Sequence, residues 1–225
     1  MKTLFLILSV AFLVAPACAQ APHESHNDSY TNPDLDVDSM VDRFESEGRE
    51  AFDLREAIVT AAGIQPGDIV ADVGAGTGAF LDPLVAAVGE TGHVVAVEIS
   101  IRFVEHLRQV ADEAGYGNVT AVFSSYTSAT LPPASVDKIV VIDTYHHFDD
   151  YESMLASMLG ALRAGGEMAV VDFDRREDSR QWVQSHVRAS KQAFRQEIEA
   201  AGFEFLEEVM MEGMVDNFMY RFRKP

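Results

Sequence analysis

Short apolar runs alternate with amphipathic segments along most of the chain. The runs "IVADVG", "HVVAVEI", "VTAVFS", "VDKIVVIDT" and "GGEMAVVDF" are rich in Val and Ile and apolar throughout, which is typical of strands buried on both faces. Between two of them lies "IRFVEHLRQVADEAG", in which apolar residues recur every three to four positions, as on one face of a helix. Strands that alternate with helices predict a parallel sheet covered by helices on both faces.

The two ends of this pattern differ from its middle. A helical segment is predicted from about residue 39, and its apolar positions repeat at helical spacing until Gly63 ends it. After Asp172 one long helix is predicted over about residues 179–201. The last runs, "FEFLEEV" and "NFMYRFR", are joined by a linker too short for a helical crossover, so they should pair antiparallel. We therefore expect an α/β fold with a seven-stranded, mostly parallel sheet and a C-terminal antiparallel hairpin.

The first residues have the pattern of a secretory signal. Lys2 precedes the apolar run "TLFLILSVAFLVAP", and the small-residue stretch "ACAQA" follows. The run is shorter than the roughly 20 residues of a membrane span. We expect a signal peptide over residues 1–19 with cleavage before Gln20, and export to the periplasm or the medium, with lipid anchoring through Cys18 as the alternative. Residues 20–38 are polar and are expected to form a flexible leader, and residues 39–225 form one domain.

Charge and cysteine content restrict the function. The formal net charge of −19 disfavours phosphate backbones and anionic lipid, so we expect a small-molecule substrate rather than a nucleic acid. Cys18 is the only cysteine and lies inside the predicted signal, which leaves the mature chain without a thiolate nucleophile or a disulfide.

The stretch "ADVGAGTGAF" places a glycine-rich turn directly after the first strand. Gly74, Gly76 and Gly78 fit the spacing G-x-G-x-x-[GA], and Glu98 lies at the end of the next strand, so the spacing alone allows a nicotinamide dinucleotide. Asp72, however, precedes the first glycine and would face a pyrophosphate, whereas a cationic ligand without phosphates would be stabilised there. The terminal hairpin also argues against a dinucleotide-binding sheet. An NAD-dependent oxidoreductase is therefore the less favoured alternative.

The sequence resembles the class I S-adenosylmethionine-dependent methyltransferases from about residue 50 to the C-terminus. "VADVGAGTGAF" is similar to their first motif, "VVAVEIS" to their second, "LPPASVDKIVVIDTYHHFDD" to their fourth-strand region and "LRAGGEMAVVDF" to their turn into strand five. "YHHF" stands where the small-molecule branch, which includes the ubiquinone and menaquinone methyltransferases, often has L-H-H-L. The resemblance implies the Rossmann-like methyltransferase fold, S-adenosyl-L-methionine as the cofactor, and a lid formed by residues 39–63.

Carried onto this chain, the resemblance implies a set of cofactor-binding residues: Asp72, Gly74, Gly76, Gly78, Glu98, Ser124 and Asp143. The bare glycine backbone would let the methionine and ribose portions approach closely. Glu98 would accept both ribose hydroxyls and Asp72 would orient the amino group. Many relatives place an acid after strand three to bind the adenine, but this chain has "VFSSYTSATLP", so a hydroxyl such as that of Ser124 would have to serve.

The acceptor side is expected at the end of the fourth strand. Tyr145, His146 and His147 follow Asp143, and a histidine there could deprotonate a phenol, a hydroxyl or a thiol; the alternative is that these residues only shape the pocket. Candidates for binding an anionic acceptor are Arg43, Arg49, Arg55, His186 and Arg188. Surface ion pairs with neighbouring glutamates are the alternative for these arginines.

The reaction expected is methyl transfer to an oxygen, sulfur, nitrogen or carbon nucleophile of a small molecule. A protein that binds the cofactor or its demethylated product without turnover is the alternative. We expect no metal, since Asp143, His146 and His147 lack the second carboxylate of a magnesium site.

Overall fold

The computed structural model describes Ser25 and residues 27–225. The predicted signal peptide, its cleavage site before Gln20 and the lipid attachment at Cys18 lie outside the described residues. Within the part that is described, none of the helices has both the length and the apolar character needed to cross a bilayer.

Seven strands form one sheet, and helices pack around it. The strands are β1 Ile69–Val73, β2 His93–Glu98, β3 Val119–Phe123, β4 Val136–Ile142, β5 Leu162–Phe173, β6 Glu204–Val209 and β7 Asn217–Arg223. The helices are α1 Val37–Phe44, α2 Glu50–Asp53, α3 Arg55–Ala61, α4 Leu81–Val88, α5 Ile101–Ala114, α6 Tyr151–Ala161, α7 Gln181–His186 and α8 Lys191–Ala200. The strand order is β3-β2-β1-β4-β5-β7-β6. Strands β1 to β5 pair in parallel, and β7 is antiparallel to both β5 and β6. The predicted Rossmann-like fold with its C-terminal hairpin is confirmed.

The alternation of side chains in β4 builds a core on each face of the sheet. Ile139 and Val141 belong to a cluster with residues of α6 and α8, whereas Val140 and Ile142 belong to a cluster with residues of α3, α4 and α5. All four side chains are buried, as expected for a parallel strand covered on both sides. The strand order reverses between β1 and β4, so their carboxyl ends leave a crevice at the position where α/β sheets bind ligands.

Two predicted helices are interrupted. The segment predicted over residues 179–201 divides into α7 and α8, because Val187 takes an extended conformation and Ser190 caps α8 by accepting a hydrogen bond from the N–H of Ala193. The segment predicted from residue 39 divides into α1, α2 and α3, with the left-handed Gly48 (φ +87°) in the gap after α1. The first interruption brings His186, at the end of α7, to the wall of the crevice.

At Gly74, the segment that follows β1 lies in close contact with Thr144, which follows β4. Its φ is +85°, and a Cβ added to it would lie 2.2 Å from Cγ2 of Thr144. The Thr144 hydroxyl lies within hydrogen-bond distance of two carbonyl oxygens, that of Ile142 at 2.9 Å and that of Gly74 at 3.3 Å. Only glycine allows both this backbone conformation and this contact.

Replacing Gly74 with Ala should therefore destabilise the protein by about 2–5 kcal/mol, because a steric clash adds to the strain of a left-handed residue. Gly48→Ala is the matched control, because Gly48 has a similar φ but no atom lies within 4 Å of a Cβ added there. This variant should lose only about 1–2 kcal/mol, which is the cost of the backbone strain. Urea unfolding of the two variants measures the difference. Equal losses of stability in the two variants would show that the contact with Thr144 does not restrict position 74 to glycine.

Candidate active site

A cavity of about 490 Å³ lies at the carboxyl ends of the parallel strands. It is bounded on one side by the glycine turn after β1 and on the other by the residues that follow β4 and β5. Residues of the gap between α1 and α2 and of the segment before α1 complete its wall. Its volume falls in the range that small-molecule sites occupy.

Glu98 organises the glycine turn through the backbone. One carboxylate oxygen accepts the N–H of Ile99 at 2.7 Å and that of Ser100 at 2.9 Å, and the other accepts the N–H of Gly76 at 2.9 Å. The side chain is buried, and burial raises its pKa, while these three backbone hydrogen bonds act to lower it. Both Gly76 and Glu98 line the cavity. The oxygen bonded to Gly76 keeps capacity for a further donor on a ligand.

Gly78 does not line the cavity, which corrects its predicted contact with the cofactor. A Cβ at this position would lie 3.0 Å from Leu81 and 3.1 Å from Leu107. Gly78 therefore allows α4 and α5 to pack closely against the turn, a packing requirement rather than a ligand-binding one.

Asp72 is a buried carboxylate at the end of β1 that faces the cavity. Burial, and secondarily the nearby charge of Glu98, raises its pKa to about 7. Among the described residues no donor forms a hydrogen bond with this carboxylate. A buried acid without a donor is stabilised by a cation, so Asp72 marks the place where a positively charged group would bind.

Ser124, at the end of β3, is buried and lines the cavity beside Glu98. Its N–H donates to the Glu98 carbonyl oxygen at 2.8 Å. Ser125 and Tyr126 continue this wall. The predicted hydroxyl groups therefore lie on the same side of the cavity as Glu98.

Asp143 is held by the segment between α1 and α2 and by the C-terminal hairpin. Its carboxylate accepts a hydrogen bond from Nη2 of Arg49 at 2.9 Å and another from Nδ2 of Asn217 at 2.6 Å. Burial raises its pKa, and the Arg49 guanidinium opposes that rise. The neighbouring Glu50 accepts hydrogen bonds of 2.6–3.1 Å from the backbone N–H groups of residues 215–217. The segment between α1 and α2 is thus attached to β4 and to the start of β7.

His146 is oriented by a carboxylate on the adjacent strand. Its Nδ1 lies 2.7 Å from Oδ1 of Asp172, and its backbone N–H donates to Oδ2 of the same residue at 3.0 Å. Both side chains are buried, and Nε2 of His146 has no hydrogen-bond partner within the described part of the chain. Because a carboxylate accepts hydrogen bonds, Nδ1 donates and Nε2 of the neutral ring keeps its lone pair.

Two further histidines lie against His146 in the wall of the cavity. The ring of His147 is 4.2 Å from that of His146, and the ring of His186 is 5.1 Å from both. Trp182 stacks on His186 at 4.8 Å. The segment before α1, predicted to be a flexible leader, also makes contacts here: Nδ2 of Asn27 donates to the His147 carbonyl oxygen at 2.9 Å.

Three other predicted site residues lie outside the cavity wall. Tyr145 is fully buried, and its hydroxyl donates to Glu197 at 3.0 Å. Arg188 pairs with both oxygens of Glu197 at 2.7 and 2.6 Å. Arg55 donates to the Phe52 carbonyl oxygen and lies over the Phe52 ring. The prediction that these three side chains face the cavity is therefore wrong. Tyr145 and Arg188 neutralise Glu197 and pack around it, and Arg55 binds the nearby backbone and ring of Phe52.

Arg43, Arg49 and His186 do line the cavity, as predicted.

Several residues that build the site were not identified from the sequence. They are Asn27, Thr144, Asp172, Trp182 and Asn217. Asp172 carries the one recognisable signal, an acid at the end of a buried strand, as Asp72 and Asp143 do. The others depend on contacts between distant parts of the chain that no local pattern shows.

Residues 70–166 match the family model described as "Methyltransferase domain". Among curated proteins, the ubiquinone/menaquinone biosynthesis C-methyltransferase UbiE of Hydrogenovibrio crunogenus is 26% identical over 118 residues. That alignment covers 52% of this chain and 46% of the relative, so about half the length of each is matched.

Solved structures share the fold over more of the chain. A SAM-dependent methyltransferase from Aquifex aeolicus has a TM-score of 0.74 at 24% identity and covers 83% of this chain and 98% of its own. The [4+2]-cyclase SpnF has a TM-score of 0.66 at 18% identity and covers 80% of this chain and 85% of its own. Residues 70–166 therefore match a methyltransferase domain, and the solved structures share the predicted fold over most of the chain. The match and the fold together imply S-adenosylmethionine as the cofactor, as predicted.

The Arg49–Asp143 pair gives a pH-dependent test of the site's architecture. Arg49→Gln should cost about 1–3 kcal/mol of stability at pH 8, less than for a fully buried pair because the Arg49 side chain is 26% exposed. Asp143 has a raised pKa in the folded state, so ionising it costs stability as the pH rises above its unfolded pKa, and losing Arg49 raises that folded pKa further. The penalty should therefore be larger at pH 8 than at pH 5, because the protonated fraction of Asp143, which needs the cation less, is greater at the lower pH.

Urea unfolding of both proteins at the two pH values measures this penalty. Arg102→Gln is the control, since Arg102 forms an exposed pair with Glu105 and should change stability by less than about 0.5 kcal/mol. A loss for Arg49→Gln that does not vary with pH would show that the arginine acts by packing alone.

Proposed function

We propose that this protein transfers a methyl group from S-adenosylmethionine to a small-molecule acceptor. The observation that carries the proposal is one continuous cavity with two chemically different ends. Buried carboxylates flank the glycine turn at one end, and oriented imidazoles line the other.

The first end fits a cation with a ribose. Asp72 offers a buried carboxylate without a donor, which would hold the amino group. Glu98 keeps acceptor capacity beside Gly76, where a ribose hydroxyl would donate. A Cβ added to Gly76 would lie no closer than 3.8 Å to the nearest atoms around it, which belong to Phe44 and the Gly74 carbonyl, so the backbone here is open to a ligand. Both carboxylates favour a positively charged ligand over a pyrophosphate, which supports S-adenosylmethionine over NAD.

The second end fits an acceptor that must lose a proton. When bound, S-adenosylmethionine supplies an electrophilic methyl group on a positively charged sulfur. The chain supplies the lone pair of His146 Nε2, held in place because Asp172 fixes the other ring nitrogen. Thr144 joins the two ends, since it contacts Gly74 and precedes the histidines by two residues. Acceptor and donor are thereby brought together, which is the main contribution of such a site.

Arg43 is the residue we propose for an anionic group of the acceptor. Arg49 also lines the cavity, but its guanidinium is bound to Asp143. Arg43 forms no ion pair with any described residue and lies 5.9 Å from the ring of Phe44. Its charge is therefore available inside an acidic chain.

A second candidate is a protein with this fold that binds the cofactor but performs a different reaction or none. The observation in its favour is that one structural neighbour is named a [4+2]-cyclase, so the fold alone does not determine the chemistry. Direct measurement of methyl transfer separates the two.

Calorimetric titration of the full chain should show binding of S-adenosylmethionine and of its demethylated product, with no competition from NAD. Glu98→Gln should weaken this binding by about 1.5–3 kcal/mol, the range for a hydrogen bond to a charged group. Glu90→Gln removes the same charge from an exposed position and should leave the affinity unchanged. Methyl-labelled cofactor incubated with a panel of phenols, thiols, amines and quinols then tests turnover. Tighter binding of NAD, or no labelled product from any acceptor class, would refute the proposal.

Affinity for S-adenosylmethionine should also depend on pH through Asp72. A cationic amino group binds the ionised carboxylate, which is a minor form below a pKa of about 7 and the major form above it. The dissociation constant should rise roughly five- to tenfold between pH 7.5 and pH 6, because the fraction of protein ready to bind falls by that factor. Asp72→Asn should bind more weakly at pH 7.5 and should lose this dependence, whereas Glu90→Gln should retain it. A dependence that persists in Asp72→Asn would assign the titration to another group.

A further inference from the structure

We propose that His146, His147 and His186 form a binding site for a divalent transition metal ion, with Zn²⁺ as the best match. The sequence predicted no metal because it offered only an Asp-x-x-His-His pattern. The structure adds His186, from α7, to the two histidines of the 3-10 turn after β4. One nitrogen from each of the three residues lies within 4.8 Å of the others.

The donor set has the chemistry of a zinc site. Three imidazoles are a known zinc ligand set, and a Zn–N bond of about 2.0–2.1 Å places tetrahedral ligand nitrogens about 3.3 Å apart. Small side-chain rotations would bring nitrogens within 4.8 Å to that separation. His147 and His186 are half-buried at the cavity wall.

His146 provides a second, independent observation. Its side chain is 2% exposed, and the buried Nε2 has no hydrogen-bond partner among the described residues, although a buried nitrogen normally has one. Asp172 holds the opposite nitrogen at 2.7 Å. A carboxylate on the far nitrogen of a ligating histidine is the usual outer-shell arrangement of zinc sites, and it directs the lone pair of Nε2 towards the other two rings.

Such a site would specify the acceptor class. Three protein ligands leave the fourth zinc position open, and all three histidines line the cavity, so that position is available to a ligand there. In a step that rests on the proposed function, an acceptor hydroxyl or thiol would bind the ion and lose its proton to solvent. With the ion bound, the lone pair of His146 Nε2 is a metal ligand, so this residue positions the ion and does not act as the base. The O–H or S–H bond breaks and its electron pair stays on the acceptor atom. A metal ion lowers the pKa of a bound hydroxyl as it does that of bound water, so the nucleophile would form near neutral pH.

The test measures metal binding directly. The protein is purified without a histidine tag, with His23 and His26 replaced by Ala so that the N-terminal histidines do not contribute, and is stripped with a chelator. Calorimetric titration with Zn²⁺ should give one site per chain. His147→Phe and His186→Phe, which keep an aromatic ring in the stack, should each weaken binding at least tenfold. Asp172→Asn should weaken it by about 10- to 100-fold. His106→Ala, on α5 and outside the cavity wall, should not change it.

A spectroscopic measurement distinguishes coordination from loss of packing. Co²⁺ should produce the visible absorption of a tetrahedral nitrogen-ligated ion in the parent protein and not in His186→Phe. If Zn²⁺ fails to bind, or binds equally well to both Phe variants, the inference is overturned and the cluster is aromatic packing only. Should Asp172→Asn not fold, the two Phe variants still decide the question.

Titration with S-adenosylmethionine separates this inference from the proposed function. His186→Phe should leave cofactor affinity unchanged, and Glu98→Gln should leave Zn²⁺ affinity unchanged. Binding of Zn²⁺ without binding of the cofactor would overturn the proposed function and support the metal site. Binding of the cofactor but not of Zn²⁺ would support the proposed function and overturn the metal site.

Discussion

The close approach of the Gly74 backbone to Thr144 fixes the relation between the two halves of the site. In a parallel sheet whose order reverses between β1 and β4, the segments leaving these strands diverge to opposite faces, and a crevice opens between them. The contact at Gly74 determines how wide that crevice is at its base, because the Thr144 side chain leaves no room for a side chain at position 74. The contact therefore fixes the distance between the residues of the glycine turn and the residues that follow β4. A larger residue at position 74 would separate the two ends of the cavity as well as strain the turn.

Four buried carboxylates at the strand ends differ in their partners, and the partners determine what each can do. Asp172 is occupied by backbone N–H groups and by His146, so it positions an imidazole. Asp143 is bound to a guanidinium and an amide, so it joins the segment between α1 and α2 and the C-terminal hairpin to the end of β4. Glu98 orders the glycine turn and keeps part of its acceptor capacity, whereas Asp72 has its full capacity and a pKa of about 7. The acid with the fewest internal partners is therefore the one most able to respond to a ligand.

The sequence predicted those features that depend on local pattern. Apolar runs and helical periodicity were sufficient for the sheet. The glycine spacing with Asp72 and Glu98 was sufficient to place these residues at one edge of the sheet, where adjacent strand ends meet. Their role in binding the cofactor stays a prediction. The sequence did not predict in which direction side chains point where the backbone is irregular. Tyr145 and His146 are neighbours in a 3-10 turn, yet one side chain enters the core and the other enters the cavity wall. The break after His186 was missed because Val187 fits a helical apolar stripe as well as it fits an extended buried position. Gly78 was misassigned because the spacing of a glycine motif does not distinguish a glycine that contacts a ligand from one that admits a helix.

The acidity of the chain is consistent with cations at both ends of the cavity. A formal charge of −19 lowers the free energy of bringing any cation to the surface, although ionic screening limits this effect to about 10 Å. Selection between cations must then come from the site itself. Carboxylates without internal donors suit an ammonium or sulfonium group, which needs charge but no coordination. Neutral imidazoles held by an outer carboxylate suit a transition metal, which needs lone pairs. On the two proposals made above, the two ends of one cavity would select different cations by different chemistry, and Thr144, between them, would keep both environments within reach of a single small acceptor.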